Sequence, residues 1–292
     1  MVMIIMKFGG SSVANAKNIN KVIDIVLESQ KESDGLVVVV SALGGVTDEL
    51  IKIANLAAAH DEKYKRDFQK LCERHNQVKS ELVKKENKEI NKKYEELSRV
   101  LGEVFEFGEL SSLFSDSIMS FGEQLSAYII SEAIKSRGVS CGFIDSRTLI
   151  KTDDNFGEAD VDIETSYKLI SNYFKNKKTL SVMGGFIAST RDGTTTTLGR
   201  GGSDYTASLV GAALHASVVE IWTDVDGLMT ADPRKVESAH TIPQISYEEA
   251  EKMALSGAKV IHPKTMKPAR LKNIPIYIKN TFNPKGNGTK IR

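Results

Sequence analysis

Proline does not occur before Pro233 in this 292-residue chain, and all six prolines lie at or beyond that position. The long N-terminal part is thus free of the residue that breaks helices and central strands, and fixed turns concentrate towards the C-terminus. Cysteine is scarcer still. Cys72 and Cys141 stand far apart, with no CxxC pair and no cysteine–histidine cluster, which argues against a disulfide framework or a zinc site. No apolar run approaches the roughly 18 residues of a membrane span. The apolar start, Met1 to Met6, has neither the length nor the basic flank of a signal peptide. An excess of one charge is also missing: 39 Lys and Arg against 38 Asp and Glu leave a net charge of +1. No global field therefore recruits nucleic acid or a membrane surface, and any anion must be held by a local constellation. A reducing cytoplasm is the expected compartment.

What is present is a repeated pattern of apolar run, glycine-rich loop and helix. Residues 2–7 read as a buried strand ending at Lys7, followed by Gly9-Gly10-Ser11-Ser12 and a helix with the stripe Ile19, Val22, Ile23, Val26 and Leu27. Residues 36–40, with four successive valines, read as a parallel strand covered on both faces. It leads into Ser41-Ala42-Leu43-Gly44-Gly45-Val46-Thr47-Asp48, where Thr47 or Asp48 is expected to cap a helix. Ligands in open α/β sheets bind outside the carboxyl ends of the strands, so Lys7 beside two glycines is either a phosphate contact or a solvated strand-end lysine. Because the lysine precedes the glycines, this is not a Walker A loop. No GxGxxG follows the first strand either, which disfavours a dinucleotide-binding dehydrogenase.

Residues 61–100 contain 21 charged residues and neither glycine nor proline. Two stripes, Tyr64, Phe68, Leu71, His75, Val78, Leu82 and then Ile90, Tyr94, Leu97, Leu101, Val104, predict two amphipathic helices packed on each other or on the sheet, or forming a subunit contact. His75, on the apolar stripe, is expected in the core. A third helix, 115–137, stops at Gly138 and carries Glu123 among Phe121, Gly122 and Leu125. A carboxylate in that setting must be paired or must bind a cation. Glu109 lies in a similar tetrapeptide at a helix end and is the weaker alternative. Residues 146–161 hold Asp153, Asp154 and Asp160 without the spacing of a calcium loop, which favours a solvated segment. His262 before Pro263 reads as structural.

The organising stretch is Thr197-Leu198-Gly199-Arg200-Gly201-Gly202-Ser203-Asp204, between an apolar run at 180–187 and a helix at 205–214. Free N–H groups at a helix N-terminus, two glycines that admit close approach and the planar fork of Arg200 together suit an anion. Read in order, the blocks at Lys7 to Ser12, Ser41 to Thr47, Ser120 to Glu123, Thr197 to Asp204, Trp222 to Gly227, Gly257 to Val260 and Lys279 to Pro284 resemble the catalytic domain of aspartate kinases, in the amino acid kinase family.

The resemblance implies an α/β fold, a three-layer αβα sandwich around a mainly parallel sheet of the carbamate kinase-like type. It implies an amino-acid lobe at about 1–178, with a helical insertion at about 56–107, and a nucleotide lobe at about 179–292. The activity implied is transfer of the γ-phosphoryl group of ATP to the side-chain carboxylate of L-aspartate, with Mg2+ held mainly through the nucleotide phosphates. Lys7 and Asp204 take the catalytic roles. Phe8, Gly9, Gly10, Thr223, Asp224, Met229, Arg234, Lys259 and Val260 join Lys7 at the nucleotide. Ser41, Thr47, Glu123, Arg200, Gly201, Gly202 and Ser203 hold the amino acid, Glu123 at its ammonium and Arg200 at its α-carboxylate. Where many relatives carry a tyrosine just after Gly227, this chain has Met229, a softer apolar contact. A homodimer or higher oligomer is expected. The family usually continues into paired ACT domains, and its bifunctional members into a homoserine dehydrogenase; these residues hold neither, which fits a fragment of such a chain, a natural stand-alone catalytic domain or regulation supplied elsewhere. Glutamate, acetylglutamate or nucleotide kinases of the same fold, and a nucleotide-binding module without turnover, are the rival readings.

Overall fold

The computed structural model describes residues 2–84, 88–175, 179–231, 236, 238–256 and 261–292. In chain order its elements are β1 (Met3–Phe8), α1 (Ala16–Lys31), β2 (Gly35–Val40), α2 (Val46–Ala58), α3 (Lys63–Leu82), α4 (Lys88–Phe107), α5 (Ser112–Ser136), β3 (Cys141–Ile144), α6 (Ile163–Phe174), β4 (Leu180–Gly184), β5 (Ile187–Ser189), β6 (Thr195–Thr197), α7 (Gly202–Leu214), β7 (Val218–Thr223), β8 (Gln244–Ile245), α8 (Tyr247–Leu255), α9 (Pro263–Leu271), β9 (Ile276–Asn280) and β10 (Thr289–Ile291). One eight-stranded sheet runs in the order β3-β4-β2-β1-β7-β9-β10-β8. All its pairings are parallel except β9 with β10.

The valine run shows why the sheet is covered on both faces. Val38 and Val40, with Met6 and Phe8 of β1, join a core with α1, α2 and α5, whereas Val37 and Val39, with Ile5, join a second core with α7 and α9. Side chains alternate across a strand, so an unbroken apolar run serves two layers at once. The expected three-layer α/β arrangement is present.

Helices α3 and α4 occupy the charged region, and their stripes are buried as the spacing predicts: Leu71, His75 and Val78 on one, Ile90, Leu97 and Leu101 on the other. They pack chiefly against α2 and α5, not against the sheet, whose face is already covered by other helices. Three local expectations are corrected. Neither Thr47 nor Asp48 caps α2: the cap position is Gly45 in the left-handed conformation, with no side-chain bond. The apolar run 180–187 is two strands, because Phe186 at φ 66° turns the chain out of the main sheet, after which β5 pairs with β6 as a separate antiparallel hairpin. Beyond His262 lies a helix, α9, with Pro263 in its first turn and His262 Nδ1 accepting the Lys264 N–H at 3.3 Å, a capping role that agrees with a structural histidine.

His75 is fully buried; its Nδ1–H donates to the Leu71 carbonyl at 2.8 Å, and Nε2 has no hydrogen-bond partner among the described residues. Burial pushes its pKa down to about 4. The unfolded chain takes up this proton near the ordinary histidine value of about 6.5 and the folded chain does not until about 4, so stability falls as pH drops through that window, by up to about 3 kcal/mol. His75→Leu should remove that component. Urea denaturation at about pH 7.5 and about pH 5 should show the variant gaining on the parent at the lower pH; equal shifts in both proteins would refute the assignment.

Candidate active site

Strands β4, β2, β1, β7 and β9 run the same way, so their carboxyl ends meet along one edge. The winding reverses at β1, with β2 on one side and β7 on the other, the position where an open α/β sheet leaves a crevice. A cavity of about 340 Å³ opens there, lined by Lys7, Gly10, Ser41 to Gly45, Thr47, Glu123, Phe186, Gly199 and Gly201 to Asp204. Residues far apart in sequence thus converge on one volume. Lys7 Nζ lies 2.7 Å from Asp204 Oδ1, both side chains about one-eighth exposed. The pair is a close ion contact, and since an ammonium group carries three donors, others remain for a second anion.

Glu123 projects from the middle of α5 and is only 3% exposed. Its Oε1 accepts the Ala42 N–H at 3.1 Å, while Oε2 has no partner among the described residues. Burial raises its carboxyl from 4.5 to about 8, against opposing contributions from the Ala42 N–H and the nearby Lys7 charge. In the free protein near neutral pH this group is therefore held mainly in its neutral acid form, and a cation placed at its unsatisfied oxygen would favour the carboxylate. Glu109, by contrast, is exposed in the α4–α5 connection and outside the cavity lining.

The glycine-rich loop forms the facing wall. Gly201, at φ 73°, is the cap residue of α7 and makes no side-chain cap bond; the Gly202 N–H donates to the Gly199 carbonyl at 3.0 Å, so an anion would meet the N–H groups of Ser203 and Asp204. Ser203 Oγ accepts the Ser41 hydroxyl at 3.1 Å and ties the β2 loop to α7. The chain must pass very close behind Ser203: a Cβ on Gly185 would lie 2.6 Å from the Ser203 Cα. Arg200 is placed differently from expectation. It is exposed at the loop tip and outside the cavity lining.

On the nucleotide side, Gly9 N–H donates to the Trp222 carbonyl at 3.2 Å, setting Gly9 and Gly10 beside the end of β7, where Thr223 donates its hydroxyl to Asp224 at 3.1 Å. The Phe8 side chain is fully buried and stacked on Trp222, with ring centroids 5.8 Å apart, its carbonyl accepts the Ser41 N–H at 3.1 Å, and it is outside the cavity lining. Met229 pairs with Thr241 in an isolated bridge and is partly buried. Arg234, Lys259 and Val260 lie outside the described residues. No group of three or more His, Cys, Asp or Glu side chains suited to a metal occurs among the described residues.

Two site residues escaped sequence reasoning. Phe186 lines the cavity from a left-handed backbone conformation, held by its N–H to Thr206 Oγ1 at 3.1 Å and by its carbonyl to the Leu198 N–H at 2.9 Å. A non-glycine residue at positive φ leaves no sequence signal. Asp116 on α5 is fully buried and bonds to Gly157 and Thr197; by sequence it is one more acid near a helix start.

Residues 2–280 match the amino acid kinase family, and the chain belongs to that family. Among its relatives, Lysine-sensitive aspartokinase 3 of Escherichia coli is 36% identical over 99% of this chain and 64% of its own length. A bifunctional aspartokinase/homoserine dehydrogenase of Zea mays is 35% identical over 98% of this chain but 32% of its own length. The structure of E. coli aspartokinase III in complex with aspartate and ADP superposes with a TM-score of 0.91 at 34% identity, covering 99% of this chain and 64% of that one. The chain thus spans from a third to under two thirds of the length of these relatives. UMP kinase from Bacillus anthracis, at a TM-score of 0.57 and 12% identity, shares the fold alone.

The Glu123 environment has a measurable consequence without any ligand. The unfolded chain loses this proton near 4.5 and the folded chain near 8, so the folded state is progressively disfavoured as pH rises between those values, by up to about 5 kcal/mol. Glu123→Gln should therefore stabilise the free protein near pH 8, with the gain vanishing towards pH 4.5. Thermal melts across that range check it, and a variant less stable than the parent near pH 8 would contradict the assigned environment.

Proposed function

We propose that this chain is the kinase region of an aspartate kinase, transferring the γ-phosphoryl group of ATP to the side-chain carboxylate of L-aspartate. The observation that carries the reading is Glu123: a buried carboxylate with an unpartnered oxygen in the same cavity as the Lys7–Asp204 pair and the uncapped α7 N-terminus. A zwitterion needs both signs in one site. An acetylated amine would leave Glu123 unpaired, which disfavours an acetylglutamate kinase.

The chemistry asks little of proton transfer. The aspartate side chain, with a solution pKa of about 4, is ionised at neutral pH, so no general base is needed. One carboxylate oxygen bonds to the γ-phosphorus, the bond from that phosphorus to the β,γ-bridging oxygen breaks, and ADP leaves with that electron pair. What must be overcome is repulsion between two anions and their alignment. Lys7 neutralises phosphate charge, Asp204 orients Lys7, and Ser41, Thr47, Ser203 and the backbone at Gly201 and Gly202 hold the amino acid. Arg200, exposed at the loop tip, reaches the α-carboxylate by turning inward. Thr223, Asp224 and Met229, with Arg234, Lys259 and Val260, serve the nucleotide. Mg2+ would be held mainly through the nucleotide phosphates and would supply charge neutralisation there. The amino-acid lobe is residues 1–178 and the nucleotide lobe residues 179–292, in a cytoplasmic homo-oligomer whose activity belongs to the first step of lysine, threonine and methionine synthesis.

Hydroxamate trapping of ATP-dependent acyl phosphate, run in parallel with L-aspartate, L-glutamate and N-acetylglutamate, tests the reading: signal with aspartate alone is expected, and signal with only another acceptor would overturn it. Lys7→Ala should lower kcat by about 100-fold or more with the fold retained by circular dichroism. Arg200→Ala should raise the aspartate KM and leave that for ATP unchanged; an effect confined to ATP would place Arg200 on the wrong ligand.

A further inference from the structure

The hairpin that delivers the glycine-rich loop is not part of the main sheet. Strands β5 and β6 share only three residue pairs, Ile187–Thr197, Ala188–Thr196 and Ser189–Thr195, so the sheet alone does not fix where Gly199 to Gly202 sit. Side chains from outside the hairpin anchor β6: Arg147 Nη1 donates to the Thr195 hydroxyl at 3.0 Å, the Thr152 and Thr196 hydroxyls bond at 2.7 Å, and Asp116 holds Thr197, the residue nearest the loop. Asp116, in the second turn of α5, is fully buried. Its Oδ2 accepts the N–H groups of Thr197 at 2.8 Å and Gly157 at 2.9 Å, and its Oδ1 accepts the Thr197 hydroxyl at 2.7 Å. The Thr197 carbonyl in turn accepts the Ala159 N–H at 2.9 Å. Thr197 is thereby held through side chain, N–H and carbonyl, two residues before Gly199. Gly199, at φ 70°, closes the contact: a Cβ there would lie 2.9 Å from Glu158 Cγ.

No Lys or Arg pairs with Asp116 among the described residues, so hydrogen bonds alone compensate its burial. A helix packed on a hairpin needs no such group, since apolar side chains of similar size do that at lower energetic cost. The carboxylate instead specifies where two backbone segments go. Glu123 follows Asp116 by seven residues, two helical turns along the same face, about 10 Å.

We infer that Asp116 is a positioning residue for the amino-acid site: through Thr197 and Gly157 it sets the glycine-rich loop at a fixed distance from Glu123, so that α5 determines the spacing between the group that takes the ammonium and the loop that takes the carboxylates. The inference rests on the aspartate kinase reading above. It predicts that loss of the clamp weakens the amino acid selectively, because the nucleotide residues on β1 and β7 are held by the main sheet.

The experiment is steady-state kinetics of the purified chain with aspartate and ATP varied separately. Asp116→Ala should raise the aspartate KM about tenfold or more and leave the ATP KM within about twofold. Asp116→Asn should recover most of that loss, because its carbonyl oxygen can accept both N–H groups while its amide donates to the Thr197 hydroxyl, which can turn its own proton away. If Asp116→Ala does not fold, Thr197→Val keeps both backbone bonds and removes only the hydroxyl; it should raise the aspartate KM about threefold with ATP unaffected. Equal changes in both constants, no change in either, or an Asn variant as impaired as the Ala variant would overturn the inference. A parent chain that forms no acyl phosphate from aspartate would overturn the kinase reading and this inference with it, whereas an active parent with insensitive variants would overturn the inference alone.

Discussion

Helix α5 lies so close to the ends of β2 and β4 that ordinary side chains do not fit between them, and most of the site follows from that approach. A Cβ on Gly122 would stand 2.8 Å from the Ala42 Cβ, and one on Gly184 would stand 3.0 Å from the Glu123 Cβ. The same closeness removes Glu123 from water and gives one of its oxygens to the Ala42 N–H, with the other left unsatisfied. Packing, not a neighbouring acid, is what makes this carboxylate an energetic liability in the free protein and a cation receptor in the proposed complex.

Two different devices handle charge at the crevice. Lys7 and Asp204 come from the central strand and the helix after the glycine-rich loop, and their ion pair brings the two into register at the carboxyl edge. The N-terminus of α7 adds partial positive charge without any side chain, since Gly201 leaves it uncapped. Transfer of a phosphoryl group between anions needs this kind of fixed, pre-oriented positive field more than it needs an acid or base. The charged helices α3 and α4 cover α2 and α5, and two of their side chains reach inward: Arg74 donates to the carbonyl of Gly44 in the cavity wall at 2.6 Å, and Lys93 to Gln124 beside Glu123 at 2.9 Å.

Much of the architecture was legible before folding because it is carried by periodicity. Runs such as 37–40 could only be central strands, the alternating stripes of 61–104 could only be amphipathic helices, and loops rich in glycine at strand ends mark a ligand edge in any α/β sheet. The burial of Glu123 was legible for the same reason, a carboxylate set in an apolar helix, whereas Lys7 read equally as a solvated strand-end lysine and Ser203 entered only through the family resemblance. The break of 180–187 into two strands was not legible, because it depends on Phe186 adopting a left-handed conformation held by Thr206 and Leu198. Nor was Gly45 as the start of α2, where Thr47 and Asp48 offered better capping chemistry.

The sequence by itself therefore determined the α/β class, the central strands, the amphipathic helices and the glycine-rich loops at strand ends, since those follow from local pattern, while the three layers were implied by the family resemblance. Tertiary structure alone decided which loops meet, which oxygen of Glu123 stays free, that Phe8 is core and Arg200 exposed, and that Asp116 clamps a hairpin 81 residues away. Contacts of that separation leave no periodic trace in the chain; they exist only once the sheet has brought the strand ends together.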